Sequence, residues 1–535
     1  DKYPELAGAL AMHHSAVSKE LRHWVEDALA EGRLQAVVCT SSLDLGVDFR
    51  PVDAIVQIGG PKGVARFVQR AGRSGHQPGA ESVIYFLPTH ALELVEAAAL
   101  RVAIEEQQME ERLPYARSFD VLVQYLTTLA TGIGFVPDEV LPEILSTYSF
   151  ESMQEDEWRW CLQFISSGGA SLAAYPEYRK VIVDNGVYRI AGPRFARRHR
   201  MSIGTIVSDQ LMMVKYKRGG AIGHVEEYFG SSLRIGDVFW FAGRALQLIE
   251  LKENTLFVAN SDKSSGRIPS WGGGRMPLSS KMSDVLRRKI SEFVSGKIED
   301  PEMIKIAPLL DLQLERSALP NDGELLIEQL QTEEGYHVFI FPFEGRLVHE
   351  GLASLLAYRI SLLTPISFSL AYNDYGLELL SDRPIPLEEA LDNNFLSPEH
   401  LIADLQAAIN SVEMARRKFR DISVISGLVF QGFPGQKTKD RHLQSSASLV
   451  YDVFADYDNS NLLLRQAFDE VIDHQLEINR FRKVLEDIQR KSIIITTPNR
   501  PTPLSFPIMV DRLRERLTSE SIEDRIAKMT LQLES

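Results

Sequence analysis

Two consecutive stretches decide the fold of this chain: AVVCTSSLDLGVDF at residues 36–49 and VDAIVQIGGPKGVARFVQRAGRSGH at residues 52–76. The first is an apolar, β-branched strand that leads into a polar turn. The second contains an apolar strand over residues 54–58, a loop with glycines, and a helix that begins near Val64 and carries arginines. This order of elements predicts an α/β domain whose working site lies at the strand ends.

The polar residues after the first strand have side chains suited to nucleotides and nucleic acids. Thr40, Ser41 and Ser42 follow the strand directly, so their hydroxyls and amides can meet a phosphate or a sugar. Gly46 permits close backbone approach or a positive φ. Asp48 can accept a hydrogen bond from a ribose hydroxyl or orient an arginine. Together they predict a phosphate or sugar contact at this turn.

The helix contributes three arginines, Arg66, Arg70 and Arg73. Arg70 and Arg73 are three residues apart and are therefore neighbours on one helix face. A guanidinium is planar and permanently charged, which suits the charge that develops on a transferring γ-phosphate. A buried strand followed by a solvated basic helix is the alternative interpretation, and the complete order of features favours the nucleotide site.

Residues 40–48 (TSSLDLGVD) resemble motif V of superfamily 2 helicases, and residues 69–76 (QRAGRSGH) resemble motif VI, in wording similar to the large helicase-related (Lhr) family. The resemblance implies the second RecA-like lobe of an ATP-dependent DNA helicase. Motif V would touch the nucleic-acid backbone, and motif VI would supply arginine fingers. Because motif VI ends here in His76, where arginine is frequent, the finger role falls first on Arg73 and second on Arg70. ATP-binding or coupling roles are implied for Gly46, Asp48, Gln69, Gly72 and His76.

The sequence contains neither a G-x-x-x-x-G-K-[ST] phosphate loop nor a DExH box. We therefore expect ATP and Mg²⁺ to be held mainly by a first lobe outside this sequence. The start, Asp1-Lys2-Tyr3-Pro4, has no initiator methionine and is interpreted as a cut within a longer protein. This part alone should not hydrolyse ATP, whereas the longer protein should.

With 535 residues the chain should form roughly three to five domains. Its two cysteines are distant in sequence, which indicates a reducing compartment without a disulfide framework. No apolar stretch is long and uncharged enough for a membrane span, no residue cluster has metal-ligand spacing, and we expect a cytoplasmic, bacterial, nucleoid-associated protein. The net charge of −15 argues only mildly against nucleic acid, because a local groove sets the binding field.

The predicted fold class is multidomain α/β and α+β. We expect a truncated second RecA-like lobe (1–90), a helical connector with a winged helix (91–192), a small β-barrel with a DNA-binding loop (193–282), and a large, mainly helical C-terminal α+β domain (283–535). The winged helix rests on three helices between residues 119 and 166 and on a hairpin around the Asn185-Gly186 turn. It could dock DNA or brace the two lobes, and bracing is favoured.

Two further segments are candidates for nucleic-acid contact. The basic run PRFARRHR at residues 193–200 includes Arg197 and Arg198. A glycine-rich loop places Trp271 between Arg267 and Arg275, where the indole could stack on an unpaired base, a contact worth about 1–3 kcal/mol, or else close the barrel mouth. The family carries a tryptophan at this place, which favours stacking.

The resemblance covers nearly the whole chain and is closest to the ligase-associated DNA DExH-box helicases. It implies a 3′-to-5′ DNA translocase for repair, which acts on single-stranded DNA or a 3′-tailed duplex. An ATP-dependent DNA ligase and a metallophosphoesterase nuclease are the implied protein partners. Two alternatives stay open: a helicase that unwinds RNA or RNA–DNA hybrids, and a non-catalytic scaffold that binds nucleic acid.

Overall fold

The structure is a computed structural model, and it divides into two compact units that each combine distant parts of the chain. The first unit is 1–111, 274–404 and 480–535, and the second is 112–273 and 405–479. The predicted C-terminal domain, 283–535, contributes to both. The structure describes residues 8–14, 19–44, 52–75, 79, 81–110, 114–207, 211–217, 219–226, 233, 235–241, 244–252, 255–261, 278–408, 411–430, 432–433, 436–437, 440–475 and 477–515.

The first unit begins with parallel strand pairs and amphipathic helices, as predicted for a RecA-like lobe. Strand β1 pairs with β2, and β3 pairs with β4, both in parallel. Parallel pairs need crossover connections, and helices supply them. The elements are β1 (Leu10–His13), α1 (Lys19–Ala30), β2 (Ala36–Cys39), β3 (Ile55–Ile58), α2 (Val64–Ala71), β4 (Ile84–Leu87) and α3 (Glu93–Glu105).

The second unit contains the predicted three helices and hairpin. Helix α6 has a capping box between Gln154 and Glu157, which fixes its start, and Gly168 ends it in the left-handed conformation. Asn185 and Gly186 both have positive φ, as a two-residue hairpin turn requires. The elements are α4 (Phe119–Thr131), α5 (Pro137–Leu145), α6 (Glu155–Ser167), α7 (Gly169–Leu172), β5 (Val181–Asp184), β6 (Val187–Ile190) and α8 (Pro193–Arg200).

The predicted barrel strands form one five-stranded sheet in the same unit. Its order is β8-β7-β11-β10-β9, with a parallel β7–β11 pair, so β8 and β9 are its edges among the described strands. One face buries a small core that includes Val214, Phe239 and Leu246. The strands are β7 (Leu211–Tyr216), β8 (Ala221–Glu226), β9 (Val238–Phe241), β10 (Arg244–Lys252) and β11 (Thr255–Asn260).

The remaining chain supplies a second five-stranded sheet and most of the helices. Its elements are α9 (Ser280–Val294), α10 (Pro301–Arg316), β12 (Glu324–Thr332), β13 (Gly335–Phe341), α11 (Arg346–Leu363), β14 (Ser369–Tyr372), β15 (Leu377–Ser381), α12 (Leu387–Asp392), α13 (Leu401–Ala408), α14 (Ser411–Ile425), β16 (Gly432–Phe433), β17 (Gln436–Lys437), α15 (Asp440–Tyr457), α16 (Leu462–Glu470), α17 (Ile478–Ile488), β18 (Ser492–Thr496) and α18 (Ser505–Glu515). A π-helical turn, Val471–Gln475, interrupts what the sequence predicts as one helix over 462–487.

This second sheet belongs to the first unit and has the order β14-β15-β13-β12-β18. Its core joins α3 of the RecA-like lobe to α9, α10 and the sheet, with Leu100, Leu286, Leu310 and Phe339 among the buried side chains. The second unit has a separate large core, in which winged-helix residues such as Phe164 pack with Phe419 and Phe454. The RecA-like lobe and the α+β sheet are therefore parts of one packed body.

Candidate functional site

Arg70 of α2 is bound to the turn that follows β2. Its Nε and Nη2 atoms donate to Asp44 Oδ2 at 3.0 and 2.7 Å, and its Nη1 donates to Gln57 Oε1 at 2.5 Å. The Arg70 and Asp44 side chains are 18% and 15% exposed, so this ion pair is shielded from solvent more than a surface pair. Motif VI is thereby tied to motif V and to β3.

Arg73 lies just beyond the end of α2, and its side chain also contacts Asp44. Its Nη2 donates to the main-chain carbonyl of Asp44 at 2.7 Å. Both predicted finger arginines therefore converge on Asp44, one on its carboxylate and one on its backbone. The sequence interpretation gave the arginine-orienting role to Asp48, which lies outside the described residues. Asp44 and Gln57 had no distinguishing sequence signal, since an aspartate and a glutamine are common near strand ends.

The end of motif VI is fixed by its buried serine. Ser74 Oγ lies 2.7 and 3.0 Å from the carbonyl oxygens of Ala71 and Val83, to either of which it can donate, and it accepts from Val83 N at 2.7 Å. Gly75 follows with φ of +73°, and a Cβ there would lie 2.7 Å from the Glu81 carbonyl oxygen. The turn that carries Arg73 is consequently held against the residues that lead into β4.

The three hydroxyls of motif V have different environments. Thr40 and Ser41 are exposed beside the short 3₁₀ helix Ser41–Leu43. Ser42 instead donates to the His13 carbonyl at 2.9 Å, and its Oγ lies 2.8 Å from His13 Nδ1. Thr40 and Ser41 are thus the hydroxyls that the fold presents at the surface, whereas Ser42 joins β1 to the turn.

The buried side chain of His13 contacts Ser42 of the motif V turn. His13 is 2% exposed, and its Nε2 lies 3.1 Å from Glu26 Oε1 on α1. Burial would raise the pKa of Glu26, but hydrogen bonds with His13 and His23 outweigh it and lower that pKa. The carboxylate therefore stays charged near neutral pH and fixes the histidine that holds Ser42.

Helix α2 begins with a carboxylate cap from another part of the chain. Val64 N and Ala65 N donate to the two carboxylate oxygens of Glu110 at 2.6 and 2.8 Å. Ser279 Oγ also donates to Glu110 Oε1, at 2.9 Å. Burial would raise the pKa of Glu110, but these hydrogen bonds lower it below its usual value. A negative charge at a helix N-terminus also compensates the helix dipole.

The other predicted site residues are spread over the chain. Gln69 is exposed on α2, and Gly72 follows α2 with an ordinary helical φ of −61°. Their positions next to Arg70 and Arg73 are compatible with the proposed coupling roles. Several predicted residues lie outside the described ranges: Gly46, Asp48, His76, Arg267, Trp271 and Arg275.

Arg197 and Arg198 lie on α8 in the second unit. Arg197 is exposed, and the Arg198 guanidinium lies 5.0 Å from the ring centre of Phe430. The neighbouring Lys180 donates to the Ser426 carbonyl at 2.8 Å, and burial together with Arg198 lowers its pKa to about 7. Burial and the nearby cations lower the pKa of His199 to about 4. The structure therefore places a group of basic residues around α8.

Metal clusters and membrane-spanning helices are both absent from the part of the chain that the structure describes. The described residues contain no group of three His, Cys, Asp or Glu side chains that could hold a metal ion. None of the helices that the structure describes is long and apolar enough to cross a membrane.

The chain combines a strand-end arginine pair, a RecA-like topology and a winged helix. This combination is typical of the C-terminal region of a helicase. Three domain-family descriptions match in series: helicase conserved C-terminal domain at residues 7–77, large helicase-related protein winged helix domain at 102–268, and DEAD/H associated at 319–505. In these ranges the chain is similar to proteins of the Lhr family.

Curated relatives and a solved structure align along nearly the whole chain. ATP-dependent helicase Lhr-Core protein 2 of Thermococcus barophilus is 26% identical over 95% of this chain and 61% of its own length. Lhr helicase/uracil glycosylase of Escherichia coli is 26% identical over 91% of this chain and 33% of its own. The structure of Mycobacterium smegmatis helicase Lhr bound to ssDNA and AMP-PNP has a TM-score of 0.67 at 22% identity, over 93% of this chain and 61% of that one. The chain thus spans about three fifths of the Lhr-Core relative, and the structural likeness confirms the predicted fold class.

Proposed function

We propose that this chain is the C-terminal part of an ATP-dependent, 3′-to-5′ DNA helicase that moves on single-stranded DNA and serves DNA repair. The observation that carries the proposal is the convergence of Arg70 and Arg73 on Asp44. It links the arginines suited to a γ-phosphate with the turn that presents hydroxyls suited to a DNA backbone. The names of the relatives support helicase activity for the longer protein.

The two arginines have different parts in this mechanism. Arg70 uses three of its donors on Asp44 and Gln57, so it serves as the anchor of α2. Arg73 lies beyond the end of α2 and donates to the Asp44 carbonyl, and it is our candidate for the finger. When its guanidinium turns to a γ-phosphate, the Asp44 turn loses that donor, and the adjacent Thr40 and Ser41 can shift.

ATP and Mg²⁺ are assigned to a first lobe beyond this sequence. The chain has no phosphate loop, and the described residues contain no carboxylate cluster for a divalent ion. When bound, the Mg²⁺–ATP would supply the phosphoryl group whose charge Arg73 stabilises. The contribution of this chain is the orientation of that guanidinium and the transfer of its movement to motif V.

The DNA partner is supported by chemistry and by a relative. The solved Lhr of Mycobacterium smegmatis was bound to ssDNA. Exposed hydroxyls at Thr40 and Ser41 and the basic residues Arg197 and Arg198 would contact phosphates and not base edges. Binding should therefore be independent of sequence and strongly dependent on salt.

Finer parts of the proposal rest on family resemblance alone. These are the 3′-to-5′ polarity, the repair role, the cytoplasmic location near a bacterial nucleoid, and the partnership with a DNA ligase and a metallophosphoesterase nuclease. Trp271, Arg267 and Arg275 are proposed as a base-stacking element on the same basis. Each can be tested without the others.

The experiment is an unwinding assay with the longer protein. Duplexes with a 3′ tail, a 5′ tail or no tail, each as DNA and as RNA–DNA hybrid, are mixed with ATP or with AMP-PNP. The proposal predicts ATP-dependent unwinding of the 3′-tailed DNA. Preferred unwinding of hybrids would favour the RNA-directed alternative, and DNA binding without hydrolysis would favour the scaffold.

A further inference from the structure

We infer that Lys62 is a positioning residue that connects helix α2 to the turn Asp374-Tyr375 of the α+β sheet, so that this sheet sets the orientation of the two site arginines. The inference rests on the proposed function, because it takes Arg70 and Arg73 to be the groups that need orientation. It concerns contacts within the first unit alone.

Lys62 lies two residues before α2 and makes two ion pairs. Its Nζ donates to Glu96 Oε1 at 2.6 Å and lies 3.1 Å from Asp374 Oδ2. Glu96 comes from α3 and is fully buried, while Lys62 and Asp374 are 18% and 15% exposed. Tyr375 completes the group, because its hydroxyl donates to Glu96 Oε1 at 2.5 Å. One ammonium thus joins the RecA-like lobe, α3 and the sheet.

The backbone around Lys62 is held in an uncommon conformation. Lys62 has φ of +64°, a left-handed value that a non-glycine residue adopts at some cost in free energy. At Gly60 a Cβ would lie 2.1 Å from Glu96 Oε2, so a side chain there would displace the Glu96 carboxylate. Gly60 N donates to Glu93 Oε1 at 2.8 Å. Such strain persists where the surroundings determine the conformation strongly, and here α3 and the sheet do so.

The turn that receives Lys62 is itself firmly built. Asp374 Oδ1 accepts from Leu278 N at 3.1 Å and from Arg346 N at 3.0 Å. Leu278 lies two residues before α9, and Arg346 is the first residue of α11. Asn373 Oδ1 accepts from Tyr375 N at 2.9 Å. A displacement of either helix would therefore reach Asp374 and, through its carboxylate, Lys62.

Further hydrogen bonds make the link short and stiff. The Lys62 carbonyl accepts from Ser279 N at 2.9 Å, and Ser279 Oγ binds the same Glu110 that caps α2. Only Gly63 separates Lys62 from the first residue of α2. Burying a lysine and two carboxylates has a large desolvation cost, so this arrangement adds less stability than its contacts suggest. The directional hydrogen bonds of Lys62 are better suited to fixing the orientation of α2 than to stabilising the fold.

The test uses the longer protein with Lys62→Met, Asp374→Asn and the double variant. Each single change should lower kcat for DNA-stimulated ATP hydrolysis about 10- to 100-fold, the range expected for a misplaced catalytic group, with KM for ATP and DNA affinity within about twofold. The double variant should be no worse than the worse single one, because both changes break one interaction. Arg101→Met is the matched control, since Arg101 lies on α3 and pairs with Glu302 at the surface.

Hydrogen exchange supplies a readout that a general structural role would not give. In Lys62→Met, the amides of Val64–Ala71 should exchange faster while those of α9 and the sheet keep their rates. Unchanged kcat and unchanged α2 exchange would overturn the inference, and so would faster exchange throughout the first unit. If Lys62→Met does not fold, Tyr375→Phe replaces it, since it removes only the hydroxyl bonded to Glu96.

The two proposals fail in different ways. Normal turnover in Arg73→Ala would remove the finger role, and the exchange rates of α2 would still decide the Lys62 inference. Loss of turnover in Arg73→Ala together with normal turnover and exchange in Lys62→Met would overturn the inference and leave the proposed function intact.

Discussion

Arg70 and Asp44 form a forked ion pair, with Nε and Nη2 of the guanidinium 3.0 and 2.7 Å from the same carboxylate oxygen. Arg73 adds a hydrogen bond to the Asp44 carbonyl. Residues of motif VI and motif V are therefore in direct contact at Asp44. The proposed coupling role predicts that a change at Asp44 affects both motifs.

Asp44→Ala should uncouple the two motifs. Because Arg70 would lose its carboxylate partner inside a shielded site, we expect ATP turnover in the longer protein to fall about tenfold or more, with a loss of about 2 kcal/mol or more for the broken pair. DNA-stimulated ATP hydrolysis and thermal unfolding measure the two effects. Asp53→Asn, at an exposed aspartate of the same lobe, is the control. Wild-type turnover in Asp44→Ala would contradict the coupling role.

Acid should release the cap of α2. The pKa of Glu110 is lowered in the folded protein, so its contribution to stability is present above the unfolded value near 4.5 and is lost as the pH falls through the folded pKa. We expect the Val64 and Ala65 amides to exchange faster in Glu110→Gln at neutral pH, where the variant lacks the charge. The difference from wild type should shrink in acid. A difference that is independent of pH would exclude the charged cap.

A buried histidine should make the α+β sheet sensitive to acid. His349 lies 2.6 Å from the Asn373 carbonyl through Nδ1 and accepts from Glu344 N at Nε2, so it is neutral with the proton on Nδ1. Burial lowers its pKa to about 4. The unfolded chain then binds more protons than the folded one between pH 6.5 and about 4, and stability falls as the pH drops through this window. His349→Gln should flatten that part of the stability profile, measured by thermal unfolding against pH; an unchanged slope would contradict the assignment.

Local signals were sufficient for much of the fold. The Asn185-Gly186 turn predicted its hairpin, and the three helices of the winged helix were also predicted. Among the elements that escaped prediction are α10, which contains Pro308, and strands β12 and β18. Strand β18 pairs in parallel with β12 across a long stretch of chain, and no turn signal marks such a pairing.

The sequence predicts the residue types of the candidate site but not the hydrogen-bond partners that hold them. Motifs V and VI predict the arginines and hydroxyls of the candidate site, because their order along the chain is informative. The partners Asp44, Lys62 and Tyr375 could not be found, since their roles arise from long-range packing. Tyr375 meets Glu96 across 279 residues of sequence, and no local pattern encodes that contact.

The measurement that tests the central claim most directly is ATP turnover of Arg73→Ala in the longer protein, with DNA affinity measured beside it. Arg66→Ala, on the same helix, is the matched control. The finger role predicts that Arg73→Ala loses about 10³-fold or more in kcat while it binds single-stranded DNA with wild-type affinity, and that Arg66→Ala stays close to wild type. Turnover in Arg73→Ala within about twofold of wild type would contradict the account.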